Sequence, residues 1–369
     1  MTVLVAPDKF KGSLTAGQVA SAVAAGLREV ARDEPVVELP VADGGDGTVA
    51  AAVAAVAAGF RRVPVRVSGP TGRRITAFFA LRGEVAVVEL AEASGLHRLP
   101  GGLPAPLTAS SYGTGELIAA ARAAGASRIV LGVGGSASTD GGAGMLTALG
   151  ARVLDPSGAA VPLGGIGLGS VSAVDLAGVS AVDIELACDV DNPLLGPSGA
   201  AAVYGPQKGA SPEDVAVLEA GLRRWAAVLG PSSASVAGAG AAGGVGFAAL
   251  AALGARMRPG ISLLLDLLGF SAAVRDARLV ITGEGSLDTQ SLHGKAPVGV
   301  LRAAMGAGVP TVAVAGRCLL SPAEWRAAGF TTVRALTDLE PDPARCMTNA
   351  APLLRRLAER LARDHAAAV

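Results

Sequence analysis

The sequence predicts an α/β protein, with a Rossmann-like parallel-sheet domain formed by the two chain ends and an inserted mixed α/β domain. At both ends, short apolar runs alternate with helical patterns, as in parallel sheets with right-handed crossovers. From Arg62 onward, strand-like runs follow one another without an intervening helix, which is typical of antiparallel pairing. The length of 369 residues also exceeds what one hydrophobic core usually serves.

The N-terminal residues contain two strand–helix units. The run Val3–Ala6 predicts a strand, and a helix is expected after Thr15 because Thr15 and Gln18 form a capping-box pattern. A second strand, Val36–Leu39, leads into a glycine-rich loop and an alanine-rich helix. Loops that follow parallel strands meet at the carboxyl edge of the sheet, where ligands bind. The C-terminal strands of the same domain are expected at Leu279–Thr282, Thr311–Ala315 and Thr332–Ala335.

The middle of the chain has a different pattern. Strand-like runs between Val63 and Leu90 are joined by short turns, and Arg128–Val133, Ala151–Asp155 and Ile184–Ala187 predict strands further along. Ser211 followed by Pro212 predicts the start of a helix. We therefore expect two domains with the active site in the cleft between them. Their predicted bounds are residues 1–65 plus 270–369 for the Rossmann-like domain and residues 66–269 for the inserted domain.

Composition and charge narrow the classes of function. Hydrophobic residues make up 51% of the chain, and 31 basic side chains balance 31 acidic ones, so we expect a folded protein without a strong overall field. This favours a small-molecule substrate over a nucleic acid or a membrane surface. The N-terminal residues lack the basic start and long apolar stretch of a secretory signal, which predicts a cytoplasmic protein.

Lysine is rare, and its positions indicate phosphate chemistry. The lysines are Lys9, Lys11, Lys208 and Lys295, and each lies in or beside a turn sequence with glycine, proline or aspartate. A compact ammonium on a flexible stem suits a group that must follow a moving phosphoryl. The loop after the first strand brings Asp8 to the first two lysines before a helix N-terminus, which favours an anion; an ordinary solvated turn is the alternative.

Two further loops near strand ends carry paired acids. Asp43 and Asp46 stand among glycines and suit a hard cation or substrate hydroxyls, or a plain helix cap. Asp189 and Asp191 follow a buried strand and match what Mg²⁺ uses when it bridges a protein to a phosphate. Phosphatases that form a phospho-aspartate use a similar pair, and Asx-turns leading into Pro193 would also fit.

The run Gly132–Ala137 fits a dinucleotide-binding pattern, and Asp155 lies about where a ribose-binding acid would stand. However, the loop does not pass straight into a helix, and Asp140 would repel a pyrophosphate unless a cation intervened. We therefore favour a metal-assisted nucleotide or phosphate site at Gly134–Asp140. A dehydrogenase site and a structural turn remain the alternatives.

The segment Thr282–Pro297 is a long polar loop after a predicted strand. It carries Glu284, Asp288 and Lys295 together with several hydroxyl side chains. So long and polar a loop would be costly as a mere connection, which indicates a function. It is not a Walker A loop, because Gly294-Lys295 is followed by alanine and the required earlier glycine is missing.

Taken in order, these loops resemble the type 1 glycerate kinase family, and the similarity spans nearly the whole chain. The resemblance implies ATP-dependent phosphorylation of glycerate on a two-domain α/β fold unrelated to P-loop kinases. The segments that carry it are Ala6–Ser13, Asp43–Thr48, Glu89–Gly95, Ser111–Gly115, Gly134–Ala137, Asp140–Met145, Cys188–Pro193, Gly205–Gly209, Gly240–Gly244, Gly283–Asp288 and Gly294-Lys295.

On this basis we expect a kinase that transfers the γ-phosphoryl of ATP to D-glycerate, with the 2-hydroxyl favoured over the 3-hydroxyl by the resemblance. A magnesium-dependent phosphatase using Asp189 and Asp191, or a non-catalytic nucleotide-binding protein, remains the alternative. Glycerate's carboxylate needs a cation, for which Lys208, Arg73 and Arg98 are available. The family more often shows glutamate where this chain has Asp46.

The expected roles follow from charge neutralisation and alignment of the acceptor hydroxyl. Glu284 or Asp288 would position or deprotonate that hydroxyl, with Asp8 and Asp43 as second candidates. Expected catalytic residues are Lys9, Lys11, Asp189, Glu284, Asp288 and Lys295; cofactor-binding residues are Gly134, Gly135, Ser136, Asp140 and Lys208; substrate-binding residues are Asp8, Asp43, Asp46 and Ser111; Mg²⁺ ligands are Asp189 and Asp191.

Overall fold

A computed structural model describes residues 2–366, apart from the side chains of residues 293, 365 and 366. The chain divides into two compact units. The first unit comprises the described residues up to Asp43, Ala50–Phe60 and the residues from Ile261 onward. The second unit comprises Gly44–Val49 and Arg61–Gly260.

The strands of the described residues are numbered in chain order. They are β1 (Thr2–Val5), β2 (Val36–Glu38), β3 (Arg61–Ser68), β4 (Arg74–Arg82), β5 (Val85–Glu89), β6 (Arg128–Gly132), β7 (Arg152–Leu154), β8 (Ala173–Asp175), β9 (Asp183–Ala187), β10 (Arg256–Arg258), β11 (Ala277–Leu287), β12 (Thr311–Cys318) and β13 (Thr332–Ala335).

The α-helices are numbered in the same way, and short 3₁₀ turns such as Leu96–Arg98, Pro206–Lys208 and Ser291–His293 lie between them. The helices are α1 (Ala16–Val30), α2 (Thr48–Ala54), α3 (Leu90–Ser94), α4 (Tyr112–Ala123), α5 (Ala143–Ala148), α6 (Ala200–Tyr204), α7 (Pro212–Leu229), α8 (Ala241–Leu253), α9 (Gly260–Leu268), α10 (Phe270–Ala273), α11 (Ala296–Gly306), α12 (Pro322–Ala328), α13 (Pro343–Thr348) and α14 (Ala350–Ala366).

The first unit contains a five-stranded sheet with the order β13-β12-β11-β1-β2, in which all neighbours are parallel. Strands from both chain ends therefore share one sheet, as the sequence predicted. The chain proceeds from β1 to β2 in one direction and from β11 to β13 in the other, so the topological switch point lies between β1 and β11. Ligands of open α/β sheets bind at such points.

Helices cover this sheet because their apolar stripes match its buried strands. Helix α1 begins with the predicted capping box: the Thr15 hydroxyl accepts from the Gln18 amide at 3.3 Å, and the Gln18 side chain accepts from the Thr15 amide at 2.9 Å. Val23 of α1 and Leu354 of α14 are fully buried in one core cluster with strand residue Ile281. Such continuous burial is typical of parallel strands covered by helices.

The second unit contains a six-stranded mixed sheet with the order β10-β9-β6-β5-β4-β3. Short turns join β3, β4 and β5, which pair antiparallel. Helical crossovers lead from β5 to β6 and onward, so β5, β6, β9 and β10 are parallel. Its core includes Phe79, Leu117, Ile129 and Trp225, each fully buried. The predicted fold class is therefore confirmed.

Two elements differ from the pattern that the sequence indicated. The predicted strand at residues 151–155 forms β7, but β7 pairs antiparallel with β8 in a separate two-stranded sheet. Strand β10 was not predicted, because a three-residue run with arginine at both ends lacks an apolar strand pattern. Among the residues described, no helix combines the length and apolar character that crossing a bilayer requires.

Candidate active site

The switch point of the first unit brings the loop after β1 against β11. The Ala6 amide donates to the Ile281 carbonyl at 2.7 Å, and the Asp8 amide donates to the Gly283 carbonyl at 2.8 Å. These contacts continue the β1–β11 ladder beyond Pro7, which has no amide hydrogen to contribute. The Asp8 carboxyl therefore stands where the two halves of the sheet diverge.

Asp8 has the electrostatics of a proton acceptor. Burial, together with repulsion from Asp43 and Glu284, raises the pKa of its carboxyl to about 7 against the lowering effect of Lys9. The Lys9 amide donates to Asp8 Oδ1 at 2.6 Å. A carboxylate with a pKa near neutrality can remove a proton and still be available in its ionised form.

Glu284 lies in β11 beside Asp8 and is only 9% exposed. Its Oε1 atom is buried and has no hydrogen-bond partner among the described residues. Burial raises the pKa of the Glu284 carboxyl, Asp288 and Asp43 act in the same direction, and the Ser291 hydroxyl and the Lys295 ammonium oppose them. A buried carboxylate oxygen without a donor is unusual in a native protein and indicates a functional position.

The Asp288 and Lys295 side chains both make hydrogen bonds within their own loop. Asp288 Oδ1 accepts from the Gln290 amide at 2.9 Å and from the Ser291 amide at 3.3 Å, which closes the turn after β11. Lys295 Nζ donates to Gln290 Oε1 at 3.4 Å, and the residue immediately precedes α11. The structure thus gives Asp288 a turn-forming role and holds Lys295 near a helix N-terminus.

Phe10 anchors the loop that carries Lys9 and Lys11. Its side chain is buried, and its amide donates to the Leu14 carbonyl at 2.9 Å. Lys9 is half-buried and Lys11 is exposed on either side of this anchor. Together with Asp8 and Glu284, these lysines make a polar edge at the switch point. We call this set the switch-point edge: Asp8, Lys9, Lys11, Asp43, Glu284, Asp288 and Lys295.

The second unit holds a buried glutamate that was not among the predicted site residues. Glu89 is the last residue of β5 and is 2% exposed. Its carboxylate accepts from the Gly47 amide at 3.0 Å and from the Val49 amide at 3.2 Å. Burial raises the Glu89 pKa to about 7, with smaller contributions from Asp46 and Glu92. The feature of the sequence that could have identified Glu89 is an acidic residue at the end of an apolar strand.

Glycines at the end of β6 and directly after it allow a close approach of another chain segment. A Cβ at Gly132 would lie 2.5 Å from the Gly44 carbonyl oxygen, and one at Gly134 would lie 2.6 Å from the Gly45 Cα. The dinucleotide-like spacing therefore has a packing reason. Asp155 instead accepts from Ser157 and Ala159 amides in an exposed turn. These positions argue against the dehydrogenase alternative.

Asp140 lies in a buried hydrogen-bond network. Its Oδ2 accepts from the Ser110 hydroxyl at 3.1 Å, from the Ser111 amide at 2.8 Å and hydroxyl at 2.9 Å, and from the Gly144 amide at 3.3 Å. Its Oδ1 accepts from the Gly142 amide at 3.2 Å. The side chain is fully buried. The structure thus joins two predicted site residues, Asp140 and Ser111, to each other, and their binding roles stay predictions.

Lys208 supports the same loop from inside. It is 3% exposed, and its Nζ donates to the Ser138 carbonyl and, at 3.5 Å, to the Thr139 hydroxyl. Burial lowers the pKa of Lys208 to about 7, and attraction by Asp140 opposes this. The Ser136 hydroxyl accepts from the Ser138 amide at 3.1 Å. The side chains of this loop are therefore largely committed to holding its backbone.

The N-terminal end of α8 packs closely against the loop that contains Ser138 and Gly141. A Cβ at Gly243 would lie 2.1 Å from the Ser138 carbonyl oxygen, and the Gly141 amide donates to the Gly243 carbonyl at 2.9 Å. The neighbouring Ala242 has a φ of 53°, the only positive value at a non-glycine among the described residues. Such strain is tolerated where surrounding contacts hold it, often at functional sites. We call residues 134–142, with Glu89 and Lys208, the loop edge.

Asp189 and Asp191 follow β9, and both are exposed. Asp189 Oδ1 accepts from the Gly260 amide at 2.8 Å. The neighbouring Asn192 uses its amide internally, because its Nδ2 donates to Ser198 at 2.8 Å and its Oδ1 accepts from the Tyr204 hydroxyl at 2.5 Å. Within residues 2–366, no three His, Cys, Asp or Glu side chains are grouped to hold a metal by themselves.

A profile of the glycerate kinase family matches residues 3–366. The chain belongs to the glycerate kinase family. The predicted class of enzyme, a kinase of this family, is thereby confirmed, whereas the type 1 subtype stays a prediction.

Similar proteins support the same conclusion. A glycerate kinase from Bacillus subtilis (strain 168) is 45% identical over 86% of this chain and 85% of its own length. A glycerate 2-kinase from Escherichia coli (strain K12) is 42% identical over the same shares of the two chains. A crystal structure of a candidate glycerate kinase 2 from Salmonella typhimurium LT2 has a TM-score of 0.87 and 42% identity, covering 100% of this chain and 99% of that chain.

Family membership confirms the class of enzyme without assigning roles to individual residues. In the first unit, the structure brings Asp8, Asp43 and Glu284 within electrostatic reach of one another, and Glu284 within reach of Asp288 and Lys295. In the second unit, it places Asp140 and Lys208 inside the fold and Asp189 and Asp191 at its surface. The expected catalytic, binding and metal roles stay predictions.

Proposed function

We propose that the chain transfers the γ-phosphoryl group of ATP to the 2-hydroxyl of D-glycerate, giving 2-phosphoglycerate and ADP. Family membership supports the reaction class, and the name of the Escherichia coli relative supports the 2-position. The structural observation that carries the proposal is the Asp8 carboxyl, with a pKa raised to about 7, at the switch point of the first unit. Phosphoryl transfer to an alcohol needs such an acceptor for the hydroxyl proton.

Asp8 is our choice as the base, ahead of the residues that the sequence favoured. Asp288 uses its Oδ1 to accept from two backbone amides of its own turn, so this oxygen is already occupied within the protein. Glu284 is the second choice, because its Oε1 lacks a partner and its pKa is also raised. Asp8 would take the proton as the hydroxyl oxygen attacks phosphorus, and Glu284 would orient the hydroxyl.

The lysines of the switch-point edge would neutralise the transferring group. Lys9 and Lys11 lie on the loop after β1, and Lys295 precedes the N-terminus of α11. Helix N-termini carry partial positive charge, so this position adds to the effect of the ammonium. Fixed positive groups stabilise the charge that develops on the phosphoryl oxygens, which is the larger part of catalysis in this reaction class.

Asp189 and Asp191 fit Mg²⁺ by the chemistry of their donors. Both offer hard carboxylate oxygens at the end of β9, and the Gly260 amide orients Asp189. Two carboxylates are what a protein commonly supplies to Mg²⁺, since substrate phosphates and water complete the shell. When bound, the ion would neutralise charge on the nucleotide phosphates. No step of the proposed proton transfer depends on it.

The loop edge would bind phosphate through its backbone. The Asp140, Ser136 and Lys208 side chains are used within the protein, so main-chain amides are the groups left for an anion. Gly135 has a left-handed φ of 75°, a conformation found in backbone nests that bind phosphate. In this proposal Asp140 and Lys208 act by keeping that backbone in place.

A single assay series tests the proposal. Purified protein would be incubated with ATP, Mg²⁺ and D-glycerate, with ADP followed by a coupled assay and inorganic phosphate measured in parallel. We expect ADP formation that requires glycerate, without matching phosphate release, and ³¹P NMR should identify 2-phosphoglycerate. Phosphate release from phosphoglycerate without ATP would instead favour the phosphatase, and ATP binding without turnover would favour a non-catalytic protein. A 3-phosphoglycerate product would contradict the proposed position.

A further inference from the structure

The carboxyl end of β12 carries a cation that was not among the predicted site residues. Arg317 is the last residue but one of this strand, and it is exposed. It belongs to the first unit, as do the candidate base Asp8 and its neighbour Glu284. The three cations that the sequence offered for glycerate's carboxylate belong to the second unit; they are Lys208, Arg73 and Arg98.

A neighbouring residue of β11 directs the Arg317 side chain. Ser286 pairs with Arg317 in the parallel ladder, and Arg317 Nε donates to Ser286 Oγ at 3.1 Å. No carboxylate among the described residues pairs with this guanidinium. A guanidinium has further N–H donors on its two Nη atoms, in a fixed planar arrangement. The outer edge of Arg317 is therefore oriented by the protein and still accessible to a ligand.

Glu284 lies near Arg317 on the same face of the sheet. Residues two apart on a strand point to one face, so Glu284 and Ser286 share a face of β11, and their register partners on β12 are Ala315 and Arg317. Same-face residues of a strand are about 6.6 Å apart, and neighbouring strands are about 4.8 Å apart. A small hydroxy acid can span this separation, with its hydroxyl at Glu284 and its carboxylate at Arg317.

The loop after β1 is held at the same point of β11. A Cβ built at Gly285 would lie 3.3 Å from the Lys11 amide nitrogen, and one built at Gly316 would lie 2.5 Å from the Gly285 carbonyl oxygen. Because these two residues lack a Cβ, the loop lies close to β11 and β11 lies close to β12. The lysine loop, Glu284 and Arg317 therefore lie at one carboxyl edge of one sheet.

The arrangement of charges favours a carboxylate as the partner of Arg317. The proposed function already gives the transferring phosphoryl group three ammonium partners, at Lys9, Lys11 and Lys295. A guanidinium matches a carboxylate with two parallel N–H···O bonds, which an ammonium cannot do. In a 2-hydroxy acid the carboxylate is bonded to the carbon that carries the hydroxyl, so the partners of the two groups must be close neighbours, as Arg317 and Glu284 are.

We propose that Arg317 binds the carboxylate of the acceptor substrate through the outer edge formed by its Nη atoms, while Ser286 holds Nε. The inference rests on the proposed function, because it names the residue that selects a hydroxy acid over an uncharged alcohol. Arg317 contacts the substrate away from the reacting hydroxyl, so it determines specificity and affinity and takes no part in proton transfer.

The kinetic test compares Arg317→Met and Arg317→Lys with the wild type, varying D-glycerate and ATP separately. We expect Arg317→Met to raise KM for D-glycerate by about tenfold or more, while KM for ATP changes by less than about twofold. Arg317→Lys keeps the charge without the planar edge and should recover part of the loss. Ser286→Ala removes the bond to Nε and should give a smaller rise in KM than Arg317→Met. Arg302→Met, at an exposed arginine of α11, is the control and should leave all values unchanged.

Calorimetry then measures recognition of the carboxylate without turnover. Binding of D-glycerate and of its neutral amide, D-glyceramide, would be compared in the presence of Mg²⁺ and a non-hydrolysable ATP analogue. We expect the wild type to bind the acid about tenfold or more tightly than the amide, and Arg317→Met to bind the two within about threefold of each other.

The outcomes separate this inference from the proposed function. Unchanged affinity of folded Arg317→Met for D-glycerate would overturn the inference, whereas the kinase proposal stands if this variant still phosphorylates glycerate. A loss of affinity for the ATP analogue alone would also overturn it, because the guanidinium would then hold a nucleotide phosphate. A wild type that neither binds nor phosphorylates D-glycerate would overturn both. If circular dichroism shows that Arg317→Met does not fold, Arg317→Lys supplies the same readings.

Discussion

The switch-point edge and the loop edge are both polar edges of parallel strands, yet their polar groups are satisfied to different degrees. In the first unit, Asp8 has a raised pKa and Glu284 keeps a buried oxygen without a donor. In the second unit, Asp140 accepts five hydrogen bonds and Lys208 bonds the backbone beneath it. The first edge keeps a carboxylate oxygen without a donor, whereas Asp140 and Lys208 of the second edge use their charged groups to fix a backbone.

The difference teaches that polar sequence motifs of similar appearance can serve opposite purposes. A carboxylate that accepts several hydrogen bonds from the protein, as Asp140 does, holds its surroundings in place. A carboxylate that lies beside other acids in a low-dielectric environment is destabilised in its charged form and is prepared to take a proton. The comparison therefore predicts that equivalent substitutions will affect turnover at the first edge and stability at the second.

The largest expected effect is on turnover in Asp8→Asn. The amide cannot accept the hydroxyl proton, so kcat should fall by about 10²- to 10⁴-fold while both KM values stay close to those of the wild type. The wild-type kcat should rise with pH around a midpoint near 7, where Asp8 ionises, and the variant should lose this dependence. Asp33→Asn, at an exposed position of the first unit, is the matched control. Wild-type turnover in Asp8→Asn would remove Asp8 from the mechanism.

The next effect is on the stability of the second unit in Asp140→Ala. This change leaves the Ser110 and Ser111 hydroxyls and several amides buried without their acceptor, at a cost of about 3 kcal/mol in the free energy of unfolding. Urea unfolding followed by Trp225 fluorescence measures it, because Trp225 Nε1 donates to the Gly141 carbonyl at 2.9 Å. Trp325→Phe would serve as the background, since the chain has 2 tryptophans.

Two controls complete the Asp140 comparison. Asp175→Ala, at a partly exposed residue of β8, should cost less than about 1 kcal/mol. Asp8→Asn should not destabilise the protein, because it replaces a half-buried acid whose charged form is disfavoured with a neutral amide. If Asp8→Asn destabilises as much as Asp140→Ala does, the two edges do not differ in the way described.

Over any single pH unit, the smallest expected effect is a dependence of stability on pH that has opposite signs at Asp8 and Lys208. The Lys208 pKa is lowered from 10.5 to about 7, so between these values the unfolded chain binds a proton that the folded chain does not. Stability should rise with pH across this window by at most about 1.4 kcal/mol per pH unit, and be lost as pH falls through 7. Asp8 contributes fully below its ordinary pKa of 3.8 and loses that contribution as pH rises through about 7.

Lys208→Met tests the upper window and Asp8→Asn the lower one. Each variant should flatten the unfolding free energy only in its own window, measured by urea titration at several pH values. A Lys208→Met profile parallel to that of the wild type between pH 7 and 10 would show that the fold does not lower the pKa of Lys208.

Particular elements show how much of the fold could be predicted from sequence. The capping box at Thr15, the proline-led helix after Ser211 and the apolar runs of β1, β6 and β9 depend on neighbours within a few residues, and the structure has each of them. Strand β7 was assigned correctly as a strand, but its partner β8 lies about twenty residues further along the chain. Pairing across such distances depends on tertiary packing, which local patterns do not record.

Some features of the candidate site could likewise be predicted from the sequence, and others could not. The loops that carry Asp8, Glu284 and Asp189 could be found because polar residues follow predicted strands. The burial of Asp140 and Lys208 could not be predicted, since a charged residue in a glycine-rich loop usually lies in solvent. The role of Glu89 also depends on Gly47 and Val49, which are remote in sequence.

By itself, the sequence determined the class of fold, the joining of both chain ends in one sheet, the loops that carry polar residues and membership in the glycerate kinase family. These follow from periodicity, capping and motif order, which are properties of local segments. Only the tertiary structure decided which acids have a raised pKa and which lysine has a lowered one. Desolvation and hydrogen-bond satisfaction depend on every group that surrounds an atom, and most of those groups come from distant parts of the chain.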